Sequence, residues 1–265
     1  MLYRLKDLMA MTVRGTDGDA GDVHDVYLDR GEWRVRYLVV STGPWLFGRK
    51  VLIAPQAAGE PLWEDKALPV DLTRDQVRES PDIDLERPVS RQQLDDLNAY
   101  YGWPAYWMGG PVAGTTPAQG YPVAIAPLSA RPPEGREPEP FEGAQERVNP
   151  DLHSAREVLG YALECSDGKA GTVDDLILDE NWAIPYLVID TSALLPGKRV
   201  LVATPSVRDV VLNGRMVTVD MTVDTVRNSP EYDPGAPIDR SYERRLNEYY
   251  GEPGRRMREP EGRRR

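Results

Sequence analysis

The sequence predicts a mainly β protein: two small antiparallel β-barrels in tandem, each followed by short helices and joined by a Pro/Gly-rich linker. Three observations carry that expectation. The chain repeats itself at a nearly constant offset, and each repeat divides into short strand-like runs bounded by Asp-Gly and Gly turns. The segment between the repeats is rich in proline and lacks an apolar period.

Leu5 to Asp29 aligns with Ala155 to Asp179 at an offset of 150, which brings Asp17-Gly18, Gly21, Val23, Asp25, Leu28 and Asp29 onto their counterparts. One residue is lost where Arg30-Gly31-Glu32 faces Glu180-Asn181, a turn that tolerates the deletion. From Trp33 the offset is 149, and the register holds to Pro104 and Pro253. The expected organisation is therefore a first domain at 1–104, a linker at 105–150 with nine prolines, a second domain at 151–253 and an Arg-rich tail at 254–265. Each domain is expected to hold a closed or nearly closed barrel.

Within a copy the elements follow in order. Asp17-Gly18 and Asp167-Gly168 are hairpin-turn dipeptides, since Gly accepts the positive φ such turns need. Val23 to Leu28 and Val173 to Leu178 read as strands opened by Gly21 and Gly171. In Trp33 to Val40, the residues Trp33, Val35, Tyr37 and Val39 alternate onto one face. Val51 to Ala54 and Leu68 to Leu72 supply further strands. Thr73-x-x-Gln76 is a capping box opening a short helix before Pro81, and Thr222 repeats the cap before Pro230. Ser90 caps a second helix, with Val89 and Leu94 placed as a hydrophobic staple and Gly102 as its end. In the second copy Asp239 keeps the cap, while Glu243 stands where Leu94 did.

Composition narrows the function classes. A net charge of -11 argues against a general nucleic-acid binder, DNA above all, because such affinity rests on cations neutralising phosphates. The tail departs from this balance with Arg263, Arg264 and Arg265 at its end. It is either a solvated end or an electrostatic hook for a membrane surface, RNA or an acidic partner. No run is long and apolar enough to span a bilayer. The single cysteine, Cys165, excludes an intrachain disulfide framework. The expected compartment is the cytoplasm, with peripheral contact at the inner membrane face.

The turn, the D-x-x-L-D strand at Asp25 to Asp29 and Asp175 to Asp179, the aromatic strand ending Tyr-Leu-Val and the following V-L-[IV]-A resemble the PRC-barrel domain. The trailing segments Asp71 to Pro81 and Leu97 to Pro104, with Asp220 to Pro230 and Leu246 to Pro253, resemble its reaction-centre H-subunit-like branch. The resemblance implies a small β-barrel in each copy, in a relative without that subunit's membrane helix. It leaves open a role in photosynthetic complex assembly or in electron or proton transfer, and an RNA-linked role in ribosome maturation, which the charge disfavours.

Chemistry finds little to stand on. His24 and His153 are the only histidines, and His24 faces Asp174 in the alignment, so neither recurs. No P-loop, Cys-x-x-Cys or His-x-x-x-His spacing occurs, so no metal, nucleotide or other cofactor and no catalytic residue is expected. The protein reads as a binding or scaffolding module that recognises protein partners. The acidic residues serve turns and strand faces, and the recurring pair Asp25 and Asp29, with Asp175 and Asp179, points to one structural role filled twice. Candidate interaction residues are the large rings: Trp33 and Trp182, then Tyr100, Tyr101, Trp103 and Trp107, with Tyr249 and Tyr250. The two copies are expected to pair with each other through the post-barrel segments that end in these tyrosines.

Overall fold

Turn chemistry sets the framework. Gly18 and Gly168 adopt φ of 134° and 148° where the Asp-Gly dipeptides reverse the chain. The computed structural model describes residues 1–43, 49–83, 91–103, 152–192 and 197–250. The 105–150 linker with Trp107, the Ser90 cap with Val89, and the tail with Arg263, Arg264 and Arg265 lie outside the described residues.

The first half runs β1 (Leu2–Arg4), α1 (Leu5–Leu8), β2 (Thr12–Gly15), β3 (Gly18–Asp29), β4 (Arg34–Thr42), β5 (Arg49–Ile53), β6 (Ala67–Pro69), α2 (Arg74–Glu79) and α3 (Arg91–Tyr101). The second runs β7 (Leu152–Ser154), α4 (Ala155–Val158), β8 (Ala162–Cys165), β9 (Gly168–Asp179), β10 (Tyr186–Asp190), β11 (Arg199–Ala203), β12 (Val207–Val211), β13 (Met216–Val219), α5 (Val223–Arg227) and α6 (Arg240–Tyr250). Two sheets result, with strand orders β5-β4-β3-β2-β6 and β11-β10-β9-β8-β13-β12. The mainly β architecture is the expected one.

Three features depart from the expectation. Among the described residues each sheet contains one parallel pair, β2 with β6 and β8 with β13, because a reversal just before β6 and β13 turns the chain into the direction of the hairpin's first strand. Among the described residues no ladder joins the two ends of either strand path, so neither sheet is closed by strand pairing there. The alternation assigned to Trp33, Val35, Tyr37 and Val39 breaks at Arg36, an extra residue between Val35, which faces Leu28, and Tyr37, which faces Tyr27. Val35 therefore joins the central core while Tyr37 and Val39 face the C-terminal helix. Trp33 precedes the strand, in a left-handed conformation.

A continuous apolar core runs through both halves, with Leu8, Val13 and Leu38 in the same cluster as Val158, Leu163 and Leu187. Burying each such side chain contributes roughly 1.5–3 kcal/mol. Smaller clusters form under the C-terminal helices. Leu94 and Leu97 of α3 cover Tyr37, Val39 and Leu52, and Tyr242 and Leu246 of α6 cover Tyr186, Val188 and Leu201. Tyr242 thereby supplies the apolar contact that Glu243 cannot.

The caps form where they are expected. Thr73 and Gln76 make the reciprocal capping box, with bonds of 2.8 and 3.2 Å. Asp239 accepts the Tyr242 amide at 2.7 Å. Gly102 ends α3 at φ 71°. Asp17 and Asp167 each accept the first helical amide of the helix after the sheet, Arg74 and Val223, at 2.7 Å.

Candidate functional site

The repeated residues converge on the seam between the halves. β1 does not join the sheet of its own half: it pairs antiparallel with β9, Leu2 facing Asp179 and Arg4 facing Ile177. β7 pairs with β3 in the equivalent register, Leu152 facing Asp29 and Ser154 facing Tyr27. The exchange is reciprocal, and each half lends its first strand to the other sheet. Leu2 and Leu152 follow their strands into the small clusters of the opposite half.

Asp25 and Asp175 lie at the centre of this exchange, 4% and 2% exposed. Asp25 accepts the Ser154 hydroxyl and the amides of Val26 and Arg156, at 2.8 and 3.1 Å for the amides. Asp175 accepts the amides of Leu176 and Lys6 at 2.8 and 3.2 Å. Each carboxylate thus holds the first turn of the other half's short helix, satisfying backbone donors that have no partner inside that helix. Burial pushes both carboxyls up, Asp175 to about 6, while the hydrogen bonds pull the other way.

Asp29 and Asp179 shape the turns beside the exchanged strands. Asp29 accepts the amides of Gly31 and Glu32 at 2.9 and 3.1 Å, and Asp179 those of Asn181 and Ala183, both at 2.8 Å. Each turn leads into a tryptophan with left-handed backbone, Trp33 at φ 49° and Trp182 at φ 63°. The tryptophan carbonyls then bridge the halves: Val35 donates to Trp182 at 2.8 Å and Ile184 donates to Trp33 at 2.7 Å. The four aspartates and two tryptophans form one two-fold arrangement that joins the halves.

The tyrosines lie elsewhere, which corrects the expected pairing route. Tyr100 donates to the Gln76 carbonyl at 3.1 Å and Tyr249 to the Thr225 carbonyl at 2.8 Å, each within its own half. Tyr101 stacks on Trp103 at a centroid distance of 4.1 Å. Tyr250 is a packing neighbour of the second half's own cluster. Tyr100 and Tyr249 tie α3 and α6 to α2 and α5 of the same half, and the seam is made by backbone and carboxylates instead. Lys6, Ser154 and Arg156 escaped the sequence reading, because nothing local marks a three-residue strand or its partner.

Among the described residues no three His, Cys, Asp or Glu side chains gather as a metal site. No described helix is long and apolar enough to cross a membrane. Burial, with Asp167 and Glu164 nearby, pushes the Cys165 thiol up to about 11, so thiolate is scarce at neutral pH.

No curated protein matches the chain. The segment from β1 into α2, residues 1–76, matches the family model of the PRC-barrel domain, and a PRC-barrel domain is therefore present there.

Proposed function

We propose that the chain is a non-catalytic scaffold or adaptor built from two PRC-barrel modules, which presents matched surfaces to protein partners. The observation that carries this reading is the placement of two exposed tyrosines at equivalent positions of α3 and α6, Tyr100 at 42% and Tyr249 at 39% exposure. The repeated polar residues are committed to the seam, whereas these amphipathic rings stand on each half where a partner can reach them. Matching strand order, the shared bulge after Val23 and Val173, and the matching exchanged-strand registers support reading residues 151–253 as the second module. The trailing segments favour the H-subunit-like branch, and the cytoplasm is the compartment in which such an adaptor would work.

Affinity capture from the native cell, at low and at moderate salt, tests the reading. Partners retained at moderate salt by the wild type and lost from a Tyr100→Ala, Tyr249→Ala chain are the expected outcome. Retention of no protein above a mock capture would overturn it, and loss at moderate salt from both chains would assign binding to charge alone.

A further inference from the structure

Within an otherwise repeated framework the halves differ at a bulge position and at the ladder position beside it. His24 and Asp174 are equivalent, and each is the extra residue of a β-bulge. Val23 faces Val40 and Asp25 faces Val39, as Val173 faces Ile189 and Asp175 faces Val188. A bulge re-aims the side chain it inserts. In the second half the re-aimed group is a carboxylate, and cations close on it from two elements. Lys6 Nζ of α1 lies 2.7 Å from Asp174 and Arg199 Nε of β11 lies 2.9 Å from it. Asp190, directly across the ladder from Arg199, adds a second carboxylate. Burial pushes the Asp174 carboxyl up, but the bonds and charges of Lys6 and Arg199 outweigh it and hold the group below its ordinary range.

The first half keeps both cations and has neither carboxylate. Arg156 on α4 stands at the Lys6 position, and Lys50 on β5 at the Arg199 position. His24 replaces Asp174, and Ser41 replaces Asp190 across from Lys50. Lys50 Nζ donates to Ser41 Oγ at 2.8 Å. The Arg156 side chain is exposed, and no described carboxylate pairs with it. Two neighbouring carboxylates are engaged already. Asp25 holds Ser154 and backbone amides, and Asp82 accepts the Lys50 amide at 3.2 Å and lies 3.7 Å from Arg49. His24 feels the uncompensated charge: burial first, then Lys50 and Arg156, lower its pKa.

We propose that His24, Lys50 and Arg156 form a carboxylate-binding site, in which a ligand carboxylate takes the place that the Asp174 side chain fills in the other half. Lys50 and Arg156 supply charge-assisted donors from two separate elements, and His24 offers an N–H donor that becomes charge-assisted when the ring is protonated. The carboxylate comes from either of two sources, a free small dicarboxylate or an acidic side chain on a partner segment. The site stands independently of the scaffold reading.

The chain has two histidines, so the imidazole signals of His24 can be followed by NMR with His153 as internal control. Succinate and, separately, a short Asp-rich peptide are titrated at constant ionic strength. The expected result is a saturable shift of the His24 signals and a rise in its pKa of about half a unit or more, as an anion beside a cationic imidazole requires, with His153 unmoved. Lys50→Gln with Arg156→Gln abolishes both effects. His24→Asp, which restores the second half's arrangement, abolishes succinate binding measured by calorimetry. Saturation by succinate but not by the peptide identifies a free ligand, and tighter binding of the peptide identifies a partner segment. No saturable shift with either probe, or the same shift in the double variant, overturns the proposal.

Discussion

The hydroxyl of Ser154 on β7 donates to the buried carboxylate of Asp25 on β3, linking residues of different halves at the point where the exchanged strand enters the other sheet. The same carboxylate accepts the amides of Val26 and Arg156, so its removal strands three donors in a buried place. Asp25→Ala should cost about 3 kcal/mol or more, since each buried unsatisfied donor costs about 1–3 kcal/mol. Asp25→Asn, which keeps an acceptor, should cost clearly less. Urea denaturation of both variants checks the order.

Asp175 makes stability depend on pH in a defined direction. Its folded pKa, about 6, is raised above the unfolded value, so the folded state holds the proton more tightly between roughly pH 4 and 6. Stability from this group is greatest below that window and is lost as pH rises through it, by up to about 3 kcal/mol. Asp25 acts in the same direction and Asp174 in the opposite one. Asp175→Asn should therefore match the wild type near pH 4 and exceed it near pH 7. Urea midpoints of the two proteins at both pH values measure the gap.

Gly21 and Gly171 allow the sheet to fold over itself. At φ 151° each, a Cβ would sit 2.3 Å from the Ser41 carbonyl oxygen at Gly21 and 2.2 Å from that of Asp190 at Gly171. Both obstacles are backbone, so neither can rotate away. Gly21→Ala and Gly171→Ala should each destabilise by on the order of 3 kcal/mol, whereas Gly160→Ala, with φ 83° and no heavy atom near its Cβ, should cost only its backbone strain. Thermal unfolding of the three variants provides the comparison.

Truncating Tyr101 and Tyr250 to Ala should loosen α3 and α6 without separating the halves, because both rings pack within their own half. Circular dichroism should show reduced stability with intact β signal, and small-angle scattering an unchanged radius of gyration. An expanded particle would return the tyrosines to the seam.

Much of the fold was legible in the sequence because local chemistry fixed it. The Asp-Gly turns, the Thr73 box and the 150-to-149 offset each follow from a few adjacent residues. The recurrence of Asp25 and Asp175 also marked a shared structural task. The strand exchange was hidden, since Leu2–Arg4 and Leu152–Ser154 are too short to show a period and either sheet offers them an edge. Bulges at His24 and Arg36 were hidden for a related reason: an extra residue reverses the side-chain faces without altering composition. The functional contrast between His24 and Asp174 was visible as an alignment mismatch, and only the positions of Lys6, Arg156, Lys50 and Arg199 give it meaning.

The reciprocal strand exchange is the claim on which the rest depends, and hydrogen exchange in a chain lacking residues 1–4 tests it most directly. In the intact protein the β9 backbone from Ile177 to Asp179 is paired with β1, although 173 or more residues separate Arg4 from that segment in sequence. The account predicts that the truncated chain loses amide protection in β9 and at the Lys6 and Asp175 contact, while β3 stays protected by β7. Protection lost from β2 and β3, with β9 unchanged, would contradict it and return each first strand to its own half.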